Sequence, residues 1–238
     1  MKIISVWSGP RNVSTALMYS FAQRKDTNVI DEPFYGHFLV NTKDADHPGR
    51  GEVIKTMETD HKKVIENILR HHSSEVLFIK NMAHHLIFDE PSFMKKMVNV
   101  FLIRDPREML PSLLKNIPDA QMRDTGLQTQ LKLYHNIIST LGDTIVLDSR
   151  QILLDPASIL NQFCDFLKIE FDEAMLKWTP GARKEDGIWS KYWYQNVHKS
   201  SGFAKYLPKN ENVPAEKQEL LTDCIKIYDQ LFEKAIKV

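Results

Sequence analysis

The sequence predicts an α/β protein of three layers, an α/β/α arrangement with helices on both faces of a mainly parallel central sheet. Short apolar, β-branched runs alternate along the chain with stretches whose apolar residues recur at helical spacing, and such alternation builds βαβ units around a parallel sheet. The composition fits a protein that fills a core, with 42% hydrophobic and 26% charged residues among 238; these are ordinary globular values. The length suits one domain, residues 1–238, and no internal repeat or low-complexity tract divides it.

The first apolar run, Lys2 to Ser8, ends in Ser8-Gly9-Pro10 and reads as a buried strand entering a turn. Val13, Ala16, Leu17 and Phe21 follow at helical spacing. A second strand runs from Asn28 to Glu32 and stops at Pro33. Between residues 41 and 60 the chain turns polar, with His47-Pro48-Gly49-Arg50-Gly51; a connection this long is a candidate lid or substrate loop, or a solvated insertion. Next come a helix from about His61 to His71, a strand Glu75 to Lys80, a short helix near Pro91 to Met97 and a strand Val98 to Arg104. Asp105-Pro106-Arg107-Glu108 starts a helix, with an Asp cap, Pro in first position and Glu three after the cap. A helix Thr125 to Leu141, a strand Thr144 to Asp148 and a helix Asp155 to Leu167 continue the alternation. Residues 181–202 are basic and aromatic, a second candidate lid, and the last helix spans about Pro214 to Ile236.

Charge and cysteine usage narrow the function classes. Lys and Arg number 31 against 31 Asp and Glu, a formal net charge of zero. Proteins that read nucleic acid or anionic membranes in bulk carry a basic surplus, because each neutralised phosphate needs its own cation. Neither partner is expected here. Cys164 and Cys224 lie in helical patterns without a CxxC partner and read as reduced core thiols. The apolar run at the amino terminus is too short for a signal peptide or a membrane span, so a cytoplasmic location is expected.

In open parallel sheets ligands bind beyond the carboxyl ends of the strands. Ser8-Gly9-Pro10-Arg11-Asn12-Val13-Ser14-Thr15 stands at such an end. A loop entering a helix presents free amides, and Arg11, Ser14 and Thr15 add a cation and two hydroxyls, an anion site in outline. The pattern is not GxxxxGK[ST], because the Lys and the second Gly are absent; a plain capped helix competes with the anion site. Arg104 leaves an apolar strand at the same edge, and Ser112 shares a helix face with residues 105 and 108. An Arg and a hydroxyl hold a second phosphate, or Arg104 forms an ion pair with Asp105 or Glu108.

The two clusters together, with the sequence Ile103-Arg104-Asp105-Pro106-Arg107-Glu108-Met109-Leu110-Pro111-Ser112 after a strand, resemble the sulfotransferase family. The resemblance spans roughly Ser5 to Gly202. It implies a P-loop-containing nucleoside triphosphate hydrolase-like fold, the donor 3′-phosphoadenosine 5′-phosphosulfate and the product adenosine 3′,5′-bisphosphate. In the family a strand-loop-helix of Pro-Lys-Ser-Gly-Thr-Thr type binds the 5′-phosphosulfate, which maps onto Arg11, Asn12, Val13, Ser14 and Thr15. An Arg with a Ser eight residues on binds the 3′-phosphate, matching Arg104 and Ser112. Lys199, Ser201 and Gly202, within Lys199-Ser200-Ser201-Gly202, correspond to a segment that closes over the 3′-phosphate. Two departures stand out: Asn12-Val13 replaces Ser-Gly, and Arg11 brings a planar two-pronged donor where the family has a mobile point charge.

Sulfuryl transfer needs charge stabilisation on the moving group and a base for the acceptor. The resemblance to carbohydrate sulfotransferases implies Glu32, in Asp31-Glu32-Pro33, as that base. His84 or His85 is the alternative, by resemblance to small-molecule members, where the family's Lys-x-His spacing would fall on Met82. Lys80 and Arg11 would stabilise the sulfonate. The implied acceptor is a hydroxyl or amine of a small molecule or carbohydrate, with no metal, and a homodimer stands among the candidate assemblies. Trp189, Tyr192, Trp193 and Tyr194 would stack an adenine, line the acceptor pocket or pack as a flap. The residues alone leave two rivals open, a small-molecule or nucleotide kinase and a nucleotide-binding regulatory protein without activity.

Overall fold

The computed structural model describes residues 1–42, 47–70, 72–88, 90–208 and 211–238. Five parallel strands, β1 (Lys2–Ser8), β2 (Thr27–Asp31), β3 (Val76–Met82), β4 (Val98–Ile103) and β5 (Ile145–Asp148), form a sheet in the order β2-β3-β1-β4-β5. The expected three-layer arrangement follows from the side-chain alternation of the strands. Ile4, Val6, Phe78, Val100 and Leu102 face one layer, where they meet Leu17 and Phe21 of α1 (Ser14–Phe21). Ile3, Trp7, Leu77, Ile79, Phe101 and Ile103 belong to the opposite layer.

The helical elements in chain order after α1 are α2 (Tyr35–Asn41), α3 (Arg50–Thr56), α4 (His61–Leu69), α5 (Pro106–Leu114), α6 (Met122–Thr125) and α7 (Leu127–Leu141). They are followed by α8 (Ser149–Leu154), α9 (Pro156–Leu167), α10 (Ser190–Trp193) and α11 (Gln218–Phe232). Helix α9 shares the layer of α1 through Ile159, Leu160 and Phe163. Helices α4, α7 and α11 fill the other layer through Ile65 and Ile68, Leu133 and Ile137, and Leu231. Cys164 and Cys224 are buried free thiols. Among the described residues no helix is long and apolar enough to cross a membrane.

Several boundaries differ from the sequence reading, each for a local reason. The polar stretch 41–60 contains α3, entered from Gly49 at φ 76°; residues 43–46 of that stretch, and His71 at the expected end of α4, lie outside the described residues. The helix expected from Thr125 is divided at Gly126, which adopts φ 72° and ends α6 before α7 begins. The expected strand Asn28 to Glu32 ends one residue early, because Glu32 turns into the left-handed region at φ 43°. The last helix begins at Gln218, after a 3-10 turn over Ala215–Lys217.

Ser8 closes β1 between Met82 of β3 and Leu102 of β4. From there the chain runs into α1 in one layer, whereas the connection after β4 leads through α5 to α7 in the other. Loops that part in this way leave a crevice at the carboxyl edge. Gln130 of α7 braces the crevice floor, donating from Nε2 to the carbonyls of Trp7 and Leu102, each at 2.9 Å. Gly9 passes so close to α6 that a Cβ there would stand 2.7 Å from the Thr125 carbonyl oxygen. Gly9→Ala is therefore expected to lower unfolding stability by about 1–3 kcal/mol, measured by urea denaturation.

Candidate active site

Beyond that edge lies a cavity of about 350 Å³. One wall is the loop after β1, where Arg11, Asn12, Val13, Ser14 and Thr15 all line the space. Val13 caps α1 without a side-chain bond, and Asn12 does the work a capping residue would, accepting from the Ser14 amide at 3.0 Å through Oδ1. Asn12 Nδ2 also donates to the Leu102 carbonyl at 3.3 Å, which ties the loop to β4. Arg11 sits at φ 56°, a left-handed backbone that costs a non-glycine residue about 1 kcal/mol and persists where its surroundings hold it.

The second sequence cluster meets the first. Arg11 Nε donates to Ser112 Oγ at 2.9 Å, and Arg104 Nη1 donates to the Arg11 carbonyl at 2.7 Å. Arg104 Nη2 also pairs with Glu108 at 3.1 Å, the ion pair that the helical spacing allowed. Its Nε is buried without a hydrogen-bond partner among the described residues. Burial, and then the neighbouring Arg104 charge, lower the pKa of Arg11. Two guanidinium groups this close, compensated by the Glu108 carboxylate, form a local electropositive corner with room for an anion.

The opposite wall is acidic and aromatic. Glu32 follows β2, and its Oε1 accepts from Lys80 Nζ of β3 at 2.5 Å. Lys80 also donates to Asp31 Oδ1 at 2.8 Å and to the Tyr194 hydroxyl at 2.5 Å. Lys80 is only 2% exposed and Glu32 8%. Burial pushes the Glu32 carboxyl above its ordinary value; the Lys80 charge opposes that and the Asp31 charge adds to it. Burial disfavours the Lys80 ammonium, yet Asp31 and Glu32 hold its pKa above the ordinary lysine value.

His84 and His85 occupy the 3-10 turn that leaves β3. His85 stacks on Tyr35 at 4.7 Å and on Phe38 at 4.7 Å, with its Nδ1 3.9 Å from Glu32 Oε2. Neither His84 Nδ1 nor His85 Nδ1 has a hydrogen-bond partner among the described residues. Burial lowers the His84 pKa to about 3 and that of His85 well below 6.5, so both imidazoles are neutral near pH 7.

The same cavity thus gathers Arg11, Asn12, Val13, Ser14, Thr15, Glu32, Lys80, His84, His85, Arg104, Ser112 and Gly202. Lys199 and Ser201 are exposed and are not part of its lining, which at that segment is formed by Ser200 and Gly202. Sequence reasoning missed three contributors. Gln130 carries no motif, Asp31 enters the sequence reading only as the neighbour of Glu32, and Tyr194 enters it only as a ring. The adjacency of Asp31 and Glu32 at a strand end was the one available signal.

Residues 1–235 match the family model described as Sulfotransferase domain. The chain belongs to the sulfotransferase domain family. A curated relative from Arabidopsis thaliana, Branched-chain-amino-acid aminotransferase-like protein 2, is 35% identical over 233 residues, covering 97% of this sulfotransferase-family chain and 41% of the relative. The chain therefore spans less than half the length of that relative. Among solved structures, a sulfotransferase from Alicyclobacillus acidocaldarius superposes with a TM-score of 0.57 at 10% identity, over 99% of this chain and 97% of the other. A mouse sulfotransferase complexed with PAP gives 0.53 at 11% identity, over 98% of this chain and 84% of the other. These likenesses show a sulfotransferase fold.

The buried imidazoles make a prediction about stability. A histidine whose folded pKa lies below its unfolded value stabilises the fold fully above pH 6.5 and loses that contribution as pH falls through the window down to about 3. The melting temperature of the wild type is expected to fall more steeply between pH 6.5 and 4 than that of His84→Gln, as measured by calorimetry.

Proposed function

We propose that the protein transfers a sulfuryl group from 3′-phosphoadenosine 5′-phosphosulfate to a hydroxyl or amine of a small-molecule or carbohydrate acceptor. The observation that carries this reading is convergence: the loop after β1 and the Arg104 and Ser112 pair line the same cavity as Glu32 and Lys80. The family membership and the fold agree with it, as does the PAP complex of the mouse sulfotransferase.

Arg104 and Ser112 are assigned to the 3′-phosphate, with the unpartnered Arg104 Nε as a donor to it. Arg11, the loop amides and the Ser14 and Thr15 hydroxyls are assigned to the 5′-phosphosulfate, where charge moves onto the leaving oxygen. In the transfer the acceptor atom bonds to sulfur while the bond from sulfur to the phosphate oxygen breaks. The electron pair stays with the phosphate, and the acceptor proton passes to a base.

Glu32 is the best supported base. Burial raises its carboxyl above the ordinary range, whereas His84 is lowered to about 3 and His85 well below 6.5. Proton transfer is most effective when the base has a pKa near the working pH, which favours the carboxylate. With Oε1 held by Lys80, Oε2 is left for the acceptor, and the neutral His85 Nδ1 beside it at 3.9 Å orients the incoming group. All three N–H donors of Lys80 have acceptors, so Lys80 reaches a sulfonate only by releasing one of them. Residues 181–202 serve as a lid, with Trp189, Trp193 and Tyr194 along the cavity.

Two experiments test the reading. Adenosine 3′,5′-bisphosphate (PAP) is expected to raise the melting temperature, with Arg104→Ala weakening its affinity about tenfold or more by calorimetric titration; stabilisation by ATP with Mg²⁺ alone would favour a kinase. Glu32→Gln is expected to lower kcat on a responsive acceptor by about 10²–10⁴-fold while leaving PAP affinity within about twofold. A variant that keeps full turnover removes Glu32 as the base.

A further inference from the structure

The segment 181–202 is bound into the acidic wall through hydrogen bonds as well as through packing. The Tyr194 hydroxyl accepts from Lys80 at 2.5 Å and from Trp189 Nε1 at 3.2 Å, and donates to Asp31, with oxygens at 2.7 and 2.9 Å. One donor and two acceptor sites are all a phenol has, so its capacity is filled. Asp31 Oδ2 takes a second bond from the same segment, from the Gly187 amide at 3.2 Å. Asp31 is 7% exposed and Tyr194 5%.

Lys80 is saturated in the same sense, its three N–H groups going to Asp31, Glu32 and Tyr194. Only one of those acceptors comes from outside the sheet edge, and it comes from the segment. A second anchor adjoins Gly187 in the chain: Asp186 accepts from the Tyr19 hydroxyl at 2.7 Å and from the Arg183 amide at 2.9 Å, and pairs with His198 Nε2 at 2.9 Å. This anchor ties the segment to α1 and does not touch Glu32.

We propose that Tyr194 and Asp31 are positioning residues: with segment 181–202 seated, they lock the Lys80 ammonium onto Oε1 of Glu32, leaving Oε2 as the fixed proton acceptor. Docking of the segment thereby completes the base. The inference rests on Glu32 as the base, assigned above. Without the Tyr194 hydroxyl one Lys80 N–H is left buried and unpaired, Asp31 loses its phenol donor, and the ammonium is free to turn toward Asp31.

Glu32 is faced by Asp31 of β2, Lys80 of β3, His85 of the turn after β3, Tyr35 of α2 and Tyr194 after α10. Burial and the Asp31 charge push its carboxyl up, and the charge of Lys80 and its bond to Oε1 oppose them. Once the Tyr194 hydroxyl is gone, an ammonium drawn toward Asp31 holds Oε1 less firmly, so Glu32 keeps its proton to higher pH.

The test uses the full chain with ¹³C-labelled Glu carboxyls, the Glu32 resonance being assigned by its loss in Glu32→Gln. For Tyr194→Phe the midpoint of Glu32 is expected to move up by about one pH unit. Proteolytic cleavage within 181–202 is expected to speed up several-fold, and the acid limb of kcat/KM to shift upward with the NMR midpoint. Asp186→Asn serves as the second variant, expected to speed cleavage while moving the Glu32 midpoint less than Tyr194→Phe does, because the Tyr194 hydroxyl and its bonds to Lys80 and Asp31 remain. An unchanged midpoint in Tyr194→Phe overturns the proposal, even if the segment loosens. A shifted midpoint in a chain that fails to bind PAP supports the lock and refutes the donor assignment, so the two failures are told apart.

Discussion

A single buried ammonium organises one half of the site. Lys80 lies within β3, a strand otherwise dominated by core residues, and no charge of that kind is stable in a dry environment unless it is fully paired. Its three acceptors come from the end of β2 and from a segment more than a hundred residues away. The left-handed backbone of Glu32 follows from that requirement, since the turn at φ 43° ends the strand and brings two successive carboxyl groups to one ammonium. The aromatic wall follows as well. Tyr194 is held in the acidic cluster, Trp189 donates to it, and Tyr35 and Phe38 pack the histidine turn on the other side.

The other half is organised by guanidinium groups and by the parting of loops around β1. A formal net charge of zero leaves no general attraction for anions. What the fold supplies is local: Arg11 and Arg104 brought together at adjacent strand ends, with Ser112 and Glu108 fixing their orientation. The Asn12-Val13 departure from the family loop has a visible consequence here. The Asn12 side chain caps the first helical amide and fastens the loop to β4, so the loop is shaped by a side-chain bridge where a glycine would have given backbone freedom.

The parts that could be read from sequence are those whose logic is local. A strand ending in Ser8-Gly9-Pro10, an Asp-capped helix after Arg104, and the eight-residue step to Ser112 each express geometry within one or two turns of chain. The parts that were hidden depend on pairings across the fold. Nothing near Tyr194 announces that its hydroxyl meets Asp31, and nothing in α7 marks Gln130 as the brace between β1 and β4. Boundary errors had a similar origin. Gly126 interrupts a continuous helical pattern because it adopts φ 72° where the chain passes Gly9, a constraint set by a loop far away in sequence.

The central claim is that two separately held cationic and acidic walls face each other across one cavity and divide the labour of a transfer reaction. The measurement that tests it most directly is a crystal structure of the protein with adenosine 3′,5′-bisphosphate. The account predicts the 3′-phosphate within hydrogen-bond distance of Arg104 and Ser112 and the 5′-phosphate against residues 11–15, with its free oxygen directed toward the Glu32 side. A nucleotide bound outside this cavity, or with its two phosphates exchanged, would contradict it.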